Sequence, residues 1–296
     1  MRIAVTGKDG QVVRSLIERG ALEGHEIVPL GRPELDLAGD ADAIVAAIEA
    51  VRPDAIVSAA AYTAVDKAET ERGLAFAVNE AGAAAVASAA HRLGVPLIHL
   101  STDYVFDGAK RAPYAETDET GPTGVYGASK LAGEEAVLAA HDNVAVLRTA
   151  WVYSPFGANF VKTMLRLARD RDEVGVVGDQ RGNPTSALDI ADGILAVAAN
   201  LAASADPGLR GVFHMTGGGE ASWAEFAEAI FEASAASGGP SALVKPITSA
   251  DYPTPARRPA NSRLAGDKLE RVHGVRLPDW RMSTANIVAR LVRGGA

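Results

Sequence analysis

The first 150 residues of the chain alternate short apolar segments with longer helical ones. The apolar segments predict strands at "RIAVTG", "HEIVPL", "DAIVSAA", "VPLIHLS" and "NVAVLRT". Helices are predicted between them at Gln11–Arg19, Ala41–Val51, Ala75–Leu93 and Gly124–Ala140. Continuous apolar runs at this spacing are typical of parallel strands that are covered by helices on both faces. We therefore predict an α/β fold with a doubly wound parallel sheet.

The pattern changes after about Thr149. Loops become longer, and proline and glycine collect in "DQRGNPT", "PGLRG", "TGGGE" and "YPTPARRP". Amphipathic helices are predicted at Asn159–Arg169, Ser222–Ser234 and Met282–Val292. We expect residues 1–150 and 151–296 to form two domains, of which the second is a smaller α/β domain. Residues 187–200 are expected to pack back onto the first domain.

Composition excludes several classes of protein. The 296 residues carry a net charge of −8, with a sequence pI of about 5.3, so we expect no nucleic-acid partner. No cysteine is present, which excludes disulfides and cysteine nucleophiles and favours a cytoplasmic location. The histidines lack the spacing of metal ligands, so we expect no metal. No apolar run approaches the ~20 residues of a membrane span, and we expect no membrane partner.

A glycine pair follows the first predicted strand, in "GKDGQVV". Gly7 allows a tight turn, and the missing side chain at Gly10 lets a pyrophosphate approach the start of the next helix. Val13 stands where a dinucleotide fingerprint has its third glycine. We expect it to affect packing rather than phosphate contact, with a slightly wider gap between helix and strand. The pair predicts a Rossmann-type nucleotide-binding domain, and an ordinary βα turn is the alternative.

The second predicted strand ends at "VPLGRPELD". A ribose-binding acid usually stands at the tip of this strand, and here Gly31 and Arg32 take its place. An arginine suits a 2′-phosphate, which favours NADPH and leaves NADH open as a second cofactor. A solvated surface arginine is the alternative. Asp36 and Leu37 follow, and we expect them to line the adenine.

Small residues follow the third predicted strand, in "SAAAYTAVDKAE". Ala59 to Ala61 lie at the carboxyl end of the strand, where open α/β sheets bind their ligands. A side chain no larger than methyl would let a cofactor and a substrate come close. The alternative is the packed end of a core strand.

A tyrosine and a lysine are four residues apart at the predicted start of a helix, in "YGASK". Tyr126 and Lys130 therefore share one helix face. A nearby ammonium is expected to stabilise a phenolate and lower the pKa of the tyrosine. The hydroxyl of Thr102, at the end of the fourth strand, would hold a substrate oxygen while Tyr126 protonates it. A surface pair is the alternative.

Eight motifs follow one another in an order that resembles a known family. They are "TGxxG", "AAAYTAVDKAE", "STDYVFDG", "YGASK", "RTAWVY", "NFVKTMLRLA", "VGDQRGNPT" and "YPTPARRPANSRL". In this order they resemble the dTDP-4-dehydrorhamnose reductases, which are extended short-chain dehydrogenase/reductases, over essentially the whole chain. The resemblance implies NAD(P)H-dependent reduction of the C4 ketone of dTDP-4-dehydro-6-deoxy-L-mannose to dTDP-L-rhamnose, the donor of a cell-surface sugar.

The resemblance also implies roles for individual residues. Tyr126 would donate the proton, with Lys130 as its partner and Thr102 beside the sugar. The positions expected to contact the cofactor are Gly7, Gly10, Gln11, Val12, Arg32, Asp36, Leu37, Ala61, Tyr62, Thr63, Tyr126 and Lys130. The positions expected to contact the dTDP-sugar are Thr102, Asp103, Tyr104, Trp151 and Arg257. In the same proline-rich segment as Arg257, Arg258 and Ser262 are further candidates for contacts to the diphosphate or nucleotide. A core aromatic is the alternative for Trp151, and a solvated face is the alternative for the two adjacent arginines.

Two other readings stay open beside the reductase. A non-catalytic regulatory subunit can use the same scaffold, as in the methionine adenosyltransferase regulatory subunit, but Tyr126 and Lys130 are both retained here. Sugar-nucleotide dehydratases and epimerases are also similar, and the dehydratases carry an acid where this chain has Tyr104. Some relatives bind magnesium near a dimer contact, where this chain has Ser15 and Leu188, so no metal is expected there. The oligomeric state is left open, with a homodimer as one alternative.

Overall fold

The computed structural model describes residues 1–294. Its strands are β1 (Arg2–Thr6), β2 (Glu26–Leu30), β3 (Ala55–Ser58), β4 (Leu97–Thr102), β5 (Val144–Thr149), β6 (Val152–Tyr153), β7 (Glu173–Val177), β8 (Arg181–Gly182), β9 (Thr185–Ser186), β10 (Gly211–His214), β11 (Ala221–Ser222), β12 (Leu243–Ile247) and β13 (Asn261–Ser262). Its helices are α1 (Gln11–Leu22), α2 (Ala41–Val51), α3 (Val65–Ala68), α4 (Arg72–Phe76), α5 (Gly82–Leu93), α6 (Val125–Ala140), α7 (Phe160–Leu167), α8 (Ala187–Ala203), α9 (Trp223–Ala236), α10 (Asp267–His273) and α11 (Trp280–Arg293).

A six-stranded parallel sheet forms the centre of the molecule, in the order β10-β5-β4-β3-β1-β2. Helices α1 and α8 cover one face, and α2, α5 and α6 cover the other. The predicted α/β, doubly wound fold is confirmed. The five strands expected from the apolar runs are all present, and their carboxyl ends meet at one edge because the strands run in parallel.

The sixth strand comes from the second half of the chain. Residues Gly211–His214 pair with β5, with His214 opposite Arg148, and no strand was predicted there. Helix α8 packs on α1. Residues 187–214 therefore contribute a helix and an edge strand to the layers formed by the first half.

The remaining part of the second half builds its own core. Two small parallel pairs, β7 with β12 and β6 with β9, accompany a three-stranded sheet in the order β11-β8-β13. Helices α7, α9 and α11 enclose a buried cluster around Tyr153, Phe226 and Trp280. Ser222 begins α9 with a reciprocal capping box to Glu225, which satisfies backbone N–H groups that the first turn of the helix leaves free.

The long predicted helix at Ala75–Leu93 is one continuous helical stretch with a π-helical turn at Ala77–Ala81. By length and composition alone, the 22 residues of Arg72–Leu93 are apolar enough to cross a membrane. The expectation that no apolar segment approaches this length is therefore corrected. Half of its apolar window is buried inside this molecule, where α5 packs on α2 and α6. The helix is thus a core helix of the α/β layers.

Candidate active site

The turn after β1 has the shape that a pyrophosphate needs. Gly7 has φ +100°, and a Cβ there would lie 3.2 Å from Val13 Cγ2 and 3.4 Å from Ala60 Cβ. Only glycine fits this conformation and space without strain. Gly10 is the residue before α1, with extended backbone and no side-chain cap, so the first N–H groups of a 12-residue helix stay free for an anion.

The residue in the third glycine position packs into the core. Val13 is 2% exposed and belongs to the cluster between α1, α8 and the sheet. Its methyl group lies over Gly7, in the space that a side chain at position 7 would need. Val13 also borders the cavity described next. It therefore packs in the core, as expected, and also lies beside the space that a ligand would occupy.

A cavity of about 680 Å³ opens at the carboxyl edge of the sheet beside this turn. It brings together most residues that the sequence analysis singled out: Gly7, Gly10, Gln11, Val12, Ala61, Thr63, Thr102, Asp103, Tyr104, Tyr126, Lys130 and Trp151. A neighbouring cavity of about 620 Å³ shares Gly7 and Ala61 and is lined by Arg32, Asp36, Leu37 and Tyr62. Two linked cavities on either side of a glycine turn suit the two halves of a dinucleotide.

Arg32 has a basic neighbour that the sequence analysis did not single out. Lys8 lines the same second cavity. Its ammonium pairs with the Glu34 carboxylate and donates a 3.1 Å hydrogen bond to the carbonyl oxygen of Arg32. Arg32 itself is exposed. Two cations therefore flank the mouth of this cavity, and one of them is already paired.

Buried polar side chains hold the loop after β3 in place. Thr6 Oγ1 accepts 3.0 Å hydrogen bonds from the backbone N–H groups of Ala59 and Ala60. Asn79, in the π-helical turn, accepts from the Tyr62 N–H at 2.8 Å and donates to Ser129 Oγ of α6 at 2.9 Å. The loop is thus tied both to β1 and to the helix that carries Tyr126.

The end of β4 carries a buried acid. Thr102 Oγ1 donates a 3.0 Å hydrogen bond to Asp103 Oδ1 and accepts from the Tyr104 N–H. Asp103 is 4% exposed, and its Oδ2 has no hydrogen-bond partner within residues 1–294. Burial raises the pKa of Asp103 to about 6, although Ser262 and Thr102 lower it in part. Asp103 lines the cavity as a residue, but its Oδ2 is enclosed by protein.

Tyr126 and Lys130 both border the cavity, from the first turns of α6. The Lys130 ammonium donates a 2.7 Å hydrogen bond to the carbonyl oxygen of Leu100 and lies 3.5 Å from Nε2 of His99. Burial raises the pKa of Tyr126, Asp103 raises it further, and Thr102 acts in the opposite direction. The expected lowering of the Tyr126 pKa is therefore wrong, because burial of the phenol dominates its environment. A tyrosine that stays protonated at neutral pH suits a proton donor.

An aromatic wall closes the far side of the cavity. Trp151 has φ +48° and stacks on Trp223, with ring centroids 3.6 Å apart and planes at 11°. A Cβ at Gly182 would lie 2.4 Å from Cε2 of Trp151, so this glycine makes room for the indole. Trp223 also lines the cavity, and the sequence does not predict this because nothing in its local sequence separates Trp223 from an ordinary helix residue.

The two adjacent arginines of the proline-rich segment behave differently. Arg257 is exposed and lines neither cavity, and its charge acts on Asp107. Arg258 reaches the site instead: it pairs with Asp66 at 2.7 Å and lies 3.3 Å from the Tyr104 hydroxyl. The structure thus does not bring Arg257 to the predicted substrate site. Within residues 1–294, no three His, Asp or Glu side chains are grouped closely enough to hold a metal ion.

Comparisons with known proteins give one consistent result. A family model described as the RmlD substrate binding domain matches residues 1–293. The dTDP-4-dehydrorhamnose reductase of Sinorhizobium fredii is 55% identical over 295 residues, which cover 100% of this chain and 99% of that one. The solved dTDP-4-dehydrorhamnose reductase of Clostridium acetobutylicum has a TM-score of 0.90 at 36% identity and covers 98% of this chain and 99% of its own.

A second solved structure carries a ligand. The dTDP-4-dehydrorhamnose reductase of Bacillus anthracis, in complex with NADP, has a TM-score of 0.89 at 34% identity, and the match covers 98% of this chain and 99% of that chain. The family model and the relatives span the whole length of the fold, including both cavities. The chain therefore belongs to the dTDP-4-dehydrorhamnose reductase family.

Proposed function

We propose that the protein reduces the C4 ketone of dTDP-4-dehydro-6-deoxy-L-mannose to dTDP-L-rhamnose with NADPH. Relatives that match along the full length are named for this reductase. The observation that carries the proposal is the arrangement of Thr102, Tyr126 and Lys130 around one cavity beside the glycine turn. A proton donor, a hydroxyl and a cation are what carbonyl reduction requires.

The cofactor would lie across the two linked cavities. Gly7 and the free N–H groups at the start of α1 suit its pyrophosphate. Arg32 at the second cavity suits a 2′-phosphate, and a relative was solved in complex with NADP. NADPH is therefore the proposed cofactor, with NADH as a second one that the same cavities can hold.

The nicotinamide cofactor supplies the hydride that reduces the ketone carbon. Tyr126 donates its phenolic proton to the ketone oxygen, which becomes the C4 hydroxyl. Thr102 donates a hydrogen bond to the same oxygen and orients it. Lys130 stabilises the tyrosinate that remains, because an ammonium nearby favours the charged form of a phenol. Asp103 lines the same cavity and is proposed to lie against the sugar.

Side chains near the sugar favour reduction over the related chemistries. The position after Asp103 is Tyr104, a phenol, so no carboxylate is available there to deprotonate carbon. The retained Tyr126 and Lys130 disfavour a regulatory subunit without activity. Trp151 and Arg258 are proposed to contact the sugar and the nucleotide diphosphate, and Arg257 is the weaker candidate of the two arginines.

We further propose a division of labour along the chain. Residues 1–150 bind the cofactor, with residues 187–200 packed on them, and residues 151–296 bind the dTDP-sugar. A cytoplasmic location fits the cysteine-free composition. A homodimer is proposed as the assembly to test first.

The function is tested by mixing the protein with NADPH and the dTDP-4-keto sugar, after 3,5-epimerisation of the sugar. We expect NADPH oxidation only when protein, cofactor and sugar are all present. The dTDP-glucose precursor, which lacks a ketone, is the matched control substrate and should give none. Absence of oxidation with both NADPH and NADH would contradict the reductase.

A further inference from the structure

Helix α6 buries an acid one turn below Lys130. Glu134 is 2% exposed and pairs with Arg148 of β5, which is 4% exposed. The Glu134 oxygens accept from Arg148 Nε at 2.9 and 3.2 Å and from Nη2 at 2.6 Å. The Arg148 guanidinium lies over the ring of Phe106, 5.0 Å from its centroid. We call Glu134 and Arg148 the internal ion pair.

Stability alone does not account for the internal ion pair. Removing two charges from water is costly, and apolar side chains of similar size usually serve as well or better in a core. The pair is also incompletely satisfied, because Arg148 Nη1 has no hydrogen-bond partner within residues 1–294. Nor is it needed to seat α6: a Cβ at Gly127 would lie 2.1 Å from the Tyr104 carbonyl oxygen, and one at Gly133 would lie 2.0 Å from that of Asn79. Close backbone packing already fixes the helix.

Lys130 is the buried charged group on α6 nearest to the internal ion pair, since Glu135, which follows Glu134, is exposed to solvent. Residues 130 and 134 are four apart and face the sheet together. Lys130 is 3% exposed, and burial lowers its pKa to about 8 while the charge of Glu134 acts against this. Burial holds the pKa of His99 well below its usual range, so His99 is neutral and offers Nε2 as an acceptor. Leu100 and His99 together engage two of the three ammonium N–H groups.

The other charged groups around Lys130 either interact with a residue other than Lys130 or are exposed to solvent. On the turn after β4, Asp103 shifts the pKa of Tyr126. From β5, Arg148 reaches the carboxylate of Glu134. The charged residues of the helical segments packed on α6 are partly or fully exposed, where solvent screens them: Asp66, Lys67, Arg72, Glu80, His91 and Arg92.

We propose that the internal ion pair is a positioning device for the reaction, in which Arg148 orients Glu134 and Glu134 keeps Lys130 charged beneath the cavity. Neither Glu134 nor Arg148 borders the cavity, so both act through Lys130. The third N–H of the ammonium is left for the cofactor ribose, and its positive charge acts on the tyrosinate of Tyr126. This inference rests on the proposed role of Lys130 in catalysis.

The test is the double variant Glu134→Leu/Arg148→Met in the full chain. It removes both charges and keeps apolar volume, so we expect its thermal unfolding temperature to equal or exceed that of the wild type. We expect kcat to fall at least tenfold, with KM for the sugar changed by less than threefold. Because Glu134 raises the pKa of Lys130, its loss should also move the alkaline limb of the kcat–pH profile to lower pH.

A kcat within twofold of the wild type would overturn the inference, and so would a fall in kcat with an unmoved alkaline limb, which indicates a structural role. If the double variant does not fold, Glu134→Gln is measured in the same assays and judged by the same changes in kcat and in the alkaline limb. This substitution keeps the shape of the Glu134 side chain and removes its charge. Asp192→Asn is the matched control, because it breaks the Arg19–Asp192 pair between α1 and α8, away from the site. Its pH profile should match that of the wild type.

Lys130→Met separates this inference from the proposed function. If Lys130→Met keeps wild-type turnover, the proposed role of Lys130 is wrong and the inference is overturned with it. If Lys130→Met loses turnover while the double variant keeps it, only the inference is overturned.

Discussion

The rings of Tyr104 and Tyr126 meet edge to face, with centroids 5.4 Å apart and planes at 73°. The contact is made by the carbon skeletons of the rings, so it survives when a hydroxyl is removed. This geometry lets the chemistry of Tyr126 be tested without disturbing the packing around it.

Tyr126→Phe should fold normally and lose most of its turnover. The phenyl ring keeps the edge-to-face contact, and only the proton donor is lost. General acid–base groups contribute about 10²–10⁴-fold, so we expect kcat to fall by that factor with little change in thermal unfolding. Tyr153→Phe is the matched control, because Tyr153 is also buried but its hydroxyl bonds Thr284 in the second core. It should cost about 1 kcal/mol of stability and keep kcat. Near wild-type kcat in Tyr126→Phe would refute the assignment.

Asp103 should make the protein less stable as pH rises. Its pKa is about 6 in the folded chain, above the ordinary value of 3.8, so the folded state holds the proton more tightly. The resulting stabilisation is complete below pH 3.8 and is lost as pH rises through about 6. Asp103→Asn avoids burying a charge, so its free energy of unfolding at pH 7.5 should exceed that of the wild type by about 1–3 kcal/mol. Urea unfolding at pH 5 and pH 7.5 checks this, and a difference that does not grow with pH would contradict it.

Gly182→Ala should displace the aromatic wall. The new Cβ would overlap the indole of Trp151, and overpacking of this kind costs about 1–3 kcal/mol. We expect KM for the sugar to rise about tenfold or more, with KM for NADPH nearly unchanged. Gly73→Ala is the control, since nothing lies within 4 Å of a Cβ at that position. If Gly182→Ala raises both KM values equally, Trp151 does not bind the sugar specifically.

Arg32→Ala should change the choice of cofactor. An arginine beside the second cavity can bind a 2′-phosphate with two parallel hydrogen bonds, and NADH has no such phosphate. We therefore expect KM for NADPH to rise about tenfold and KM for NADH to change by less than twofold. Arg92→Ala, at an exposed position on α5, is the control for a general loss of positive charge. Parallel increases for both cofactors would mean that Arg32 does not read the phosphate.

Much of the site could be predicted because the sheet is parallel. Apolar runs locate the strands, and parallel strands bring their carboxyl ends to one edge, so Gly7, Ala61, Thr102 and Asp103 converge without knowledge of any side-chain contact. Helix periodicity then places Tyr126 and Lys130 on the same face. The α/β class follows from the same alternation.

The residues that were missed depend on contacts between distant parts of the chain. The sixth strand at Gly211–His214 has an ordinary sequence, and only its pairing with β5 makes it part of the sheet. Trp223 reaches the cavity because it stacks on Trp151, 72 positions earlier in the chain. The pKa of Tyr126 was predicted in the wrong direction because the sequence does not show that the fold buries the phenol beside Asp103.

The transfer of deuterium from NADPH labelled at the reactive C4 position of the nicotinamide tests whether the protein reduces the sugar ketone with this cofactor. The labelled cofactor is incubated with the protein and the 4-keto sugar, and the dTDP-sugar product is examined by mass spectrometry and proton NMR. We expect dTDP-L-rhamnose that carries one deuterium at C4 of the sugar, and unlabelled product when the opposite face of the nicotinamide holds the label. A sugar without deuterium from either labelled cofactor, or one that keeps its ketone, would contradict it.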